Sequence, residues 1–323
     1  MVCVEPVDPV TLAEPAGRLL AQVWEPPCLR YTPEYLRWQF GFTGEQLSPI
    51  GLAVYSDSKE LIGFNCATIR RLRFRGTVSD VFLFCLSAVH PQWRGSRVAG
   101  SLYTTMLQMA WEAVAPYMSF AEAGSPSDIS AQRAQAAGRF LTSLGPFPFH
   151  GFLPRPNAEP GDIRIIETDD PEVLRPAIQA CDDDETLWND PDPRMLAHYA
   201  ADPRPSVMLL LEGPEGDLRG AARIVCAETI TPQGLSILPI VDNLFLPHPD
   251  ADTLRALCLY AARRWPDRVT APMVSIPNVW GCDPAVLKAA GLRQTPARFV
   301  GFIGTYSESD PFTPAHGTNL DIV

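Results

Sequence analysis

The chain has no excess of positive charge. Its 26 lysines and arginines stand against 37 aspartates and glutamates, and the sequence pI is near 4.9. Neutralising a phosphate backbone needs a basic footprint, so this balance argues against nucleic acid as the main partner. A local cationic pocket, and with it a small anionic ligand, stays open. Cysteine pairs are also missing: Cys3, Cys28, Cys66, Cys85, Cys181, Cys226, Cys258 and Cys282 form no C-x-x-C. Several lie inside apolar runs (FNCAT, LFCLS, IVCAE, ALCLY), where cysteine behaves as a small hydrophobe. That argues against a metal site or a disulfide framework. No apolar run reaches the length of a bilayer. The opening MVCVEPVDP lacks the basic and apolar regions of an export signal, so the expected location is the cytoplasm.

What is present is enough for two ordinary domains: 323 residues, 46% hydrophobic and 20% charged. The 33 prolines bunch in connecting stretches. The densest, GPFPFHGFLPRPNAEPGD from Gly145 to Asp162, is the expected boundary and divides the chain into 1–153 and 154–323. The tail SESDPFTPAHGTNLDIV is polar, broken by proline and expected to be extended.

The first half opens with a helical stretch, PAGRLLAQVW, and then YTPEYLRWQF, where Thr32 can cap a helix with Pro33 at its first position. GLAVY, the turn SDSKE and LIGFNCATI predict an antiparallel hairpin. VSDVFLFCLSAV is the most apolar strand and is expected to be central. A turn and an amphipathic helix bearing Leu102, Leu107 and Met109 follow, then the strand YMSFAEA and a helix in QRAQAAGRFLTSLG. The second half repeats this order. SVMLLLEGPEGDLRGAARIVCAE mirrors the hairpin with Gly220 in the place of Gly63, and SILPIVDNLFLPHPDADTLRALCLYAARRW mirrors the central strand, turn and helix. VTAPMVSIP and DPAVLKAAGLRQTPARFVGFI mirror the close. Gly63 precedes Pro91 by 28 residues, and Gly220 precedes Pro247 by 27. The expected fold is two copies of one mixed α/β unit.

In LSAVHPQWRGSRVAGSLY a strand runs through a tight turn into a helix. Such a turn leaves free N–H groups and the positive end of the helix dipole facing outward, a ready anion site. The small residues Gly95, Ser96, Ala99, Gly100 and Ser101 let a pyrophosphate approach the backbone, and Arg94 and Arg97 add charge. The order resembles the acetyl-coenzyme A motif of the GNAT acyltransferases, R/Q-x-x-G-x-G/A. Arg94 and Ala99 fit, whereas Arg97 stands where that family has its middle glycine. YTPEYLRWQF, KELIGFNCA, LSAVHPQWRGSRVAGSLY and FAEAG together resemble the N-terminal half of the N-myristoyltransferases, whose turn is R-x-x-R-x-A. This likeness covers Tyr31 to about Gly124, and beyond it only the general GNAT outline remains.

The resemblance implies an α/β fold with a mixed sheet, two tandem GNAT-like domains with the second degenerate. It implies an acyl donor, acyl-CoA or the phosphopantetheine of an acyl-carrier protein, and an amine acceptor on a small molecule or peptide. The donor would lie along Ala88, Val89 and the turn Arg94, Gly95, Ser96, Arg97, Val98, Ala99 and Gly100. The backbone amides of Leu86 and Ser87 would hold the oxyanion. Carboxylates near the family's base positions are Asp80 and Glu122, each equally readable as a solvated strand-end charge. His90 reads as a cap, and Tyr103 as core or as the acid for a leaving thiolate. N-myristoyltransferases use their own C-terminal carboxylate, which corresponds here to Val323.

The second copy has HPDADTLRAL in place of the phosphate turn, so the cofactor is expected to bind once. Asp242, with Asp182, Asp183, Asp184 and Glu185, can attract a cationic amine. The run RRLRFR (Arg70, Arg71, Arg73, Arg75) reads as edge protection, or as a contact for the coenzyme's 3′-phosphate or an acidic carrier protein. Two other classes share the outline: Fem-type aminoacyl-tRNA-dependent transferases, and a catalytically inactive GNAT-fold binding protein.

Overall fold

The computed structural model describes residues 3–136, 141–155, 158–181, 186–276, 282–304 and 317–319. The first half runs β1 (Glu5–Val7), α1 (Ala13–Val23), β2 (Cys28–Leu29), α2 (Pro33–Phe40), β3 (Ile50–Tyr55), β4 (Leu61–Phe74) and β5 (Thr77–Val89). It continues through a 3-10 turn (Pro91–Trp93) to α3 (Val98–Glu112), β6 (Tyr117–Glu122), α4 (Pro126–Ala136) and β7 (Leu141–Phe152). The second half comprises β8 (Arg164–Glu167), α5 (Pro171–Ala180), β9 (Thr186–Asn189), α6 (Pro193–Ala200), β10 (Ser206–Glu212), β11 (Leu218–Thr231) and β12 (Gly234–Phe245). It closes with α7 (Ala251–Arg263), β13 (Val274–Ile276), α8 (Pro284–Ala290), β14 (Leu292–Gly304) and β15 (Gly317–Asn319).

Twelve strands form one twisted path, in the order β1-β3-β4-β5-β6-β14-β7-β13-β12-β11-β10-β8. The order reads the same from either end once the halves are exchanged, as two copies of one unit require. Only β5–β6 and β12–β13 are parallel along this path, one pair in each half. The repeat reaches single residues. Val54 pairs with Gly63 and the register slips at the next residue; Leu211 pairs with Gly220 and slips likewise.

The halves are interlocked. β14 inserts between β6 and β7, and β7 inserts between β13 and β14. β2, in the α1–α2 connection, pairs with β11, while β9, in the α5–α6 connection, pairs with β4. The proline-dense stretch from Gly145 is therefore no linker as far as Phe152, because it lies in the middle of the sheet. Pro146 and Pro148 pair with Val300 and Arg298 of β14, and His150 to Phe152 pair with β13 on the other side. Of the helix expected over residues 132–145, residues 132–136 belong to α4 and residues 141–145 instead open β7, while 137–140 lie outside the described residues.

Helices α1 and α2 cover one face with Leu12, Leu19, Leu20, Leu36 and Phe40, against Phe64, Cys66 and Ala88 of the sheet. Helix α3 covers the other through Val98, Leu102, Met106 and Ala110, with Leu107, Met109 and Tyr103 half-buried beside them. Gly63 lets that helix approach closely: a Cβ there would stand 2.7 Å from Val98 Cγ1. Thr32 caps α2 as expected, accepting from the Tyr35 N–H at 3.2 Å. No helix among the described residues is long and apolar enough to cross a membrane.

Candidate active site

Strand β5 is broken where its sequence becomes LSAV. Cys85 pairs with Cys66 and Ser87 with Asn65, leaving Leu86 as an extra residue with φ 49°. A two-for-one step of this kind is a β-bulge, and the left-handed conformation turns the strand. The Phe82 N–H donates to the Pro116 carbonyl on the β6 side at 3.0 Å, so alternation sends the Phe84 and Leu86 amides the same way. Beyond the bulge the His90 N–H donates to the Ile62 carbonyl on β4 at 2.8 Å. Counting back from it sends Ala88 toward β4 and Ser87 away from it. The amides of Leu86 and Ser87 therefore both face the β6 side.

That side is open. The β5–β6 ladder ends at Phe84 opposite Ser119, while β5 continues to Val89 on β4 and β6 continues to Glu122 on β14. The two strands part just where the amides point, and Ala88 and Val89 form one wall of the gap. The turn follows. Gln92 donates its N–H to His90 Nδ1 at 3.3 Å, so His90 caps the 3-10 turn. The Ser96 N–H and Oγ both bond the Trp93 carbonyl, and the Val98 N–H reaches Ser96 Oγ at 3.3 Å. Arg94, Gly95, Ser96, Arg97, Ala99 and Gly100 are exposed; only Val98 is buried, as the anchor against the sheet. Gly95 has φ 78° with open space where a Cβ would stand, and Gly100 is equally open.

Helix α3 has Arg97 at its N-cap and no side-chain cap, whereas Thr32, Asp170, Asp192, Asp250 and Asp283 cap α2, α5, α6, α7 and α8. The first amides of a helix have no partner within it. At α7 the Asp250 carboxylate accepts from Asp252 and Thr253, so an internal anion already fills the corresponding place in the second copy. The Arg94 guanidinium donates to the Val23 carbonyl at the end of α1 at 3.3 Å.

The structure separates the two carboxylates. Asp80 lies six residues before Leu86 on β5, about 20 Å at the usual strand rise. Its Oδ2 accepts from the Glu45 N–H at 2.9 Å and the Gln46 N–H at 3.4 Å, which pins the 44–47 loop. Asp80 is a loop anchor, far from the amides. Glu122 is exposed at the end of β6, three residues beyond Ser119 and hence about level with Ser87 across the gap. Val323 and Asp182–Glu185 lie outside the described residues. Tyr31, on the α1–α2 side, was not picked out from the sequence. It packs in the same apolar cluster as Cys85 and Leu86, with its ring 5.1 Å from Trp24 and 5.9 Å from Tyr35. Burial, with Tyr35 and Cys85 nearby, pushes the Tyr31 phenol up, so it can donate a proton but does not serve as a base at neutral pH.

The arginine run does not lie on an edge. The β3 ladder on β4 ends at Ala67, but beyond it Leu72 and Arg73 pair with β9 while Arg70 to Phe74 pair with β5 on the other side, and Arg70 and Arg73 are buried. Arg73 Nη2 donates to the carbonyls of Ile178 (2.7 Å) and Cys181 (2.6 Å), tying the end of α5 to the first half. Arg71 meets Glu45, and Arg75 lies over the Phe74 ring in the β4–β5 turn. Arg70 and Arg73 are thus turned to their own protein, while Arg71 is half-buried and Arg75 exposed.

Asp242 is also no free attractor of amines. It is the extra residue of a matching bulge in β12, between the pairs Arg223–Asn243 and Ile224–Val241. It is buried against the Arg223 guanidinium, which also binds Asp202; Asp202 in turn pairs with Arg204 at 2.8 Å. Burial would push the Asp202 carboxyl up, but hydrogen bonds and charge from Arg204, with Arg223 beyond, hold it below its ordinary value. The Arg204 guanidinium lies 4.0 Å above the Tyr35 ring, and Trp38 donates to the His198 carbonyl at 2.7 Å while stacking on the imidazole at 4.7 Å. This charged and aromatic seam joins α2 to α6.

A bulged central strand followed by a turn and a helix, repeated in tandem, defines a tandem GNAT-like fold. Comparison with solved structures agrees. N-myristoyltransferase from Saccharomyces cerevisiae, crystallised with myristoyl-CoA and inhibitors, is similar over 94% of this chain and 80% of that one, at TM-score 0.66 and 12% identity. A tandem GNAT protein from the clavulanic acid biosynthesis pathway is similar over 96% of this chain and all of that one, at TM-score 0.64 and 13% identity. At these identities the likeness establishes the fold. No protein-family model and no curated protein matches the sequence.

Proposed function

We propose that this protein moves an acyl group from a coenzyme A thioester to an amine. One observation carries the reading: the Leu86 and Ser87 amides face an open gap that leads to the exposed start of α3, whose N-cap residue Arg97 makes no side-chain cap. The diphosphate sits on the amides of Arg97, Ala99 and Gly100, with the Arg94 and Arg97 side chains beside it, and the pantetheine fills the gap along Ala88 and Val89. The thioester carbonyl then meets the two bulge amides. As the amine nitrogen attacks the carbonyl carbon, the oxygen takes up negative charge that those amides stabilise. The C–S bond breaks, the thiolate leaves and the amine proton passes to a base. Each such donor is typically worth about 10²–10³ in rate.

Glu122 is the carboxylate best placed to take that proton, directly or through water, with the Val323 carboxylate as the alternative implied by likeness to N-myristoyltransferases. Likeness to the same family favours a long acyl chain. The acceptor sits on the α1–α2 face, toward the seam with the second half.

Calorimetric titration of the full chain with acetyl-, octanoyl- and myristoyl-CoA tests the reading, with an aminoacyl-tRNA as the competing donor. Arg97→Glu is expected to weaken CoA thioester binding at least tenfold, while Lys288→Glu, exposed on α8 in the second half, leaves it unchanged. Binding of tRNA alone, or equal losses in both variants, overturns it.

A further inference from the structure

We propose that Cys66 and Cys85 form a peroxide-sensitive dithiol whose disulfide disables the neighbouring oxyanion amides, an inference that rests on the acyl-transfer site described above. Among the described residues these are the two cysteines that stand directly opposite each other in a ladder. Both belong to the face covered by α1 and α2. Alternation from Phe82 makes them a hydrogen-bonded antiparallel pair, for which Cα atoms lie about 5.5 Å apart, inside the range of disulfides. Their register is the last before the bulge, and Cys85 is bonded in sequence to Leu86.

The two thiols have different roles. Cys85 is half-buried, and its Sγ reaches Thr68 Oγ1 at 3.8 Å, so it is the one that meets an oxidant. Cys66 is fully buried and shielded from the oxidant, so it is the resolving partner; burial together with Cys85 pushes its thiol up, which slows that second step. The Cys85 sulfur attacks hydrogen peroxide: an S–O bond forms, the O–O bond breaks, and the thiol proton leaves in water. The Cys66 sulfur then attacks the Cys85 sulfur, forming S–S and breaking S–O, and a second water carries away the remaining proton. Two thiols and one peroxide give one disulfide and two waters.

The consequence is geometric. Opposed residues in such a ladder hold their Cβ atoms about 4.5–5.5 Å apart, and a disulfide draws them to about 3.8 Å. The strands must close by roughly 1 Å beside Leu86. A misplacement of about 1 Å at a reacting centre costs on the order of 10²-fold. The strained bond is easily reduced, so the change is reversible.

The test treats the full chain with hydrogen peroxide, blocks the remaining thiols, and maps linked peptides by mass spectrometry. Myristoyl-CoA binding and acyl transfer to an amine are measured before oxidation, after it, and after dithiothreitol. A Cys66–Cys85 peptide is expected, with at least a tenfold loss of transfer that dithiothreitol restores and that Cys66→Ala abolishes. Cys85→Ser provides a second variant that removes the same bond. A different pairing, stable sulfinic acid at Cys85, or a linked peptide without loss of transfer overturns the inference. Should the reduced protein neither bind nor use a CoA thioester, the acyl-transfer reading fails and the proposed switch fails with it, while the peptide map still reports whether the two thiols pair.

Discussion

Gly63→Ala tests whether α3 is held where the proposed phosphate site needs it. The new methyl would stand 2.7 Å from Val98 Cγ1 and 3.2 Å from Leu102 Cδ1. Carbon atoms rest at about 3.5–4.0 Å, so α3 must retreat by roughly 1 Å or Val98 must leave its rotamer. Overpacking of this kind costs about 1–3 kcal/mol of stability. Retreat also carries the helix start away from the gap, and a shift near 1 Å is expected to lower CoA thioester affinity about tenfold. Gly220→Ala is the matched control in the second copy. Gly220 has φ 154°, and its added carbon would press on the Phe245 carbonyl and stand 2.6 Å from Leu246 Cδ2. It is expected to destabilise at least as much, yet to leave affinity unchanged once the folded fraction is equal. Urea unfolding reports the first quantity and calorimetry at low temperature the second. Equal affinity losses in the two variants would refute the assignment of the cofactor to the first half. So would a Gly63→Ala protein that is less stable but binds normally.

Arg223→Met leaves Asp242 buried beside an apolar side chain while Asp202 keeps Arg204. The expected loss is about 3–5 kcal/mol by urea unfolding, partly recovered in Arg223→Met/Asp242→Leu. The same cluster sets an acid limit. Asp202 is held below its ordinary 3.8, so its contribution is complete above that value and is lost as pH falls through the lower folded value; urea midpoints should drop between pH 5 and pH 2. Expressed separately, residues 1–153 and 154–323 are each expected to be insoluble and to recover a folded circular-dichroism spectrum only when refolded together, because β7 and β14 lie between strands of the opposite half.

Hydropathy alternation, turn residues and repeated order are local properties, and they suffice to read the hairpin over β3 and β4, the strand β5, helix α3 and the duplicate of all three in the second half. The small residues and arginines of the turn likewise announce an anion site, because free amides at a helix start follow from backbone geometry alone. Register and strand exchange are set by contacts between distant segments, which no local pattern encodes. PFPFHGF looks like a linker since proline disfavours strands in general, and only its pairing with β14 and β13, far along the chain, shows that it lies inside the sheet. RRLRFR looks like an edge because four arginines suit water, yet Arg73 is consumed by carbonyls of α5 some hundred residues away. Asp80 and Glu122 look equivalent as strand-end carboxylates; the bulge at Leu86 and the parting of β5 from β6 put one about 20 Å from the amides and leave the other level with them. The sequence alone thus determined the repeated unit and the exposed turn that opens α3. Tertiary structure decided which charges reach the reacting centre, because that depends on how the two copies cross and pair.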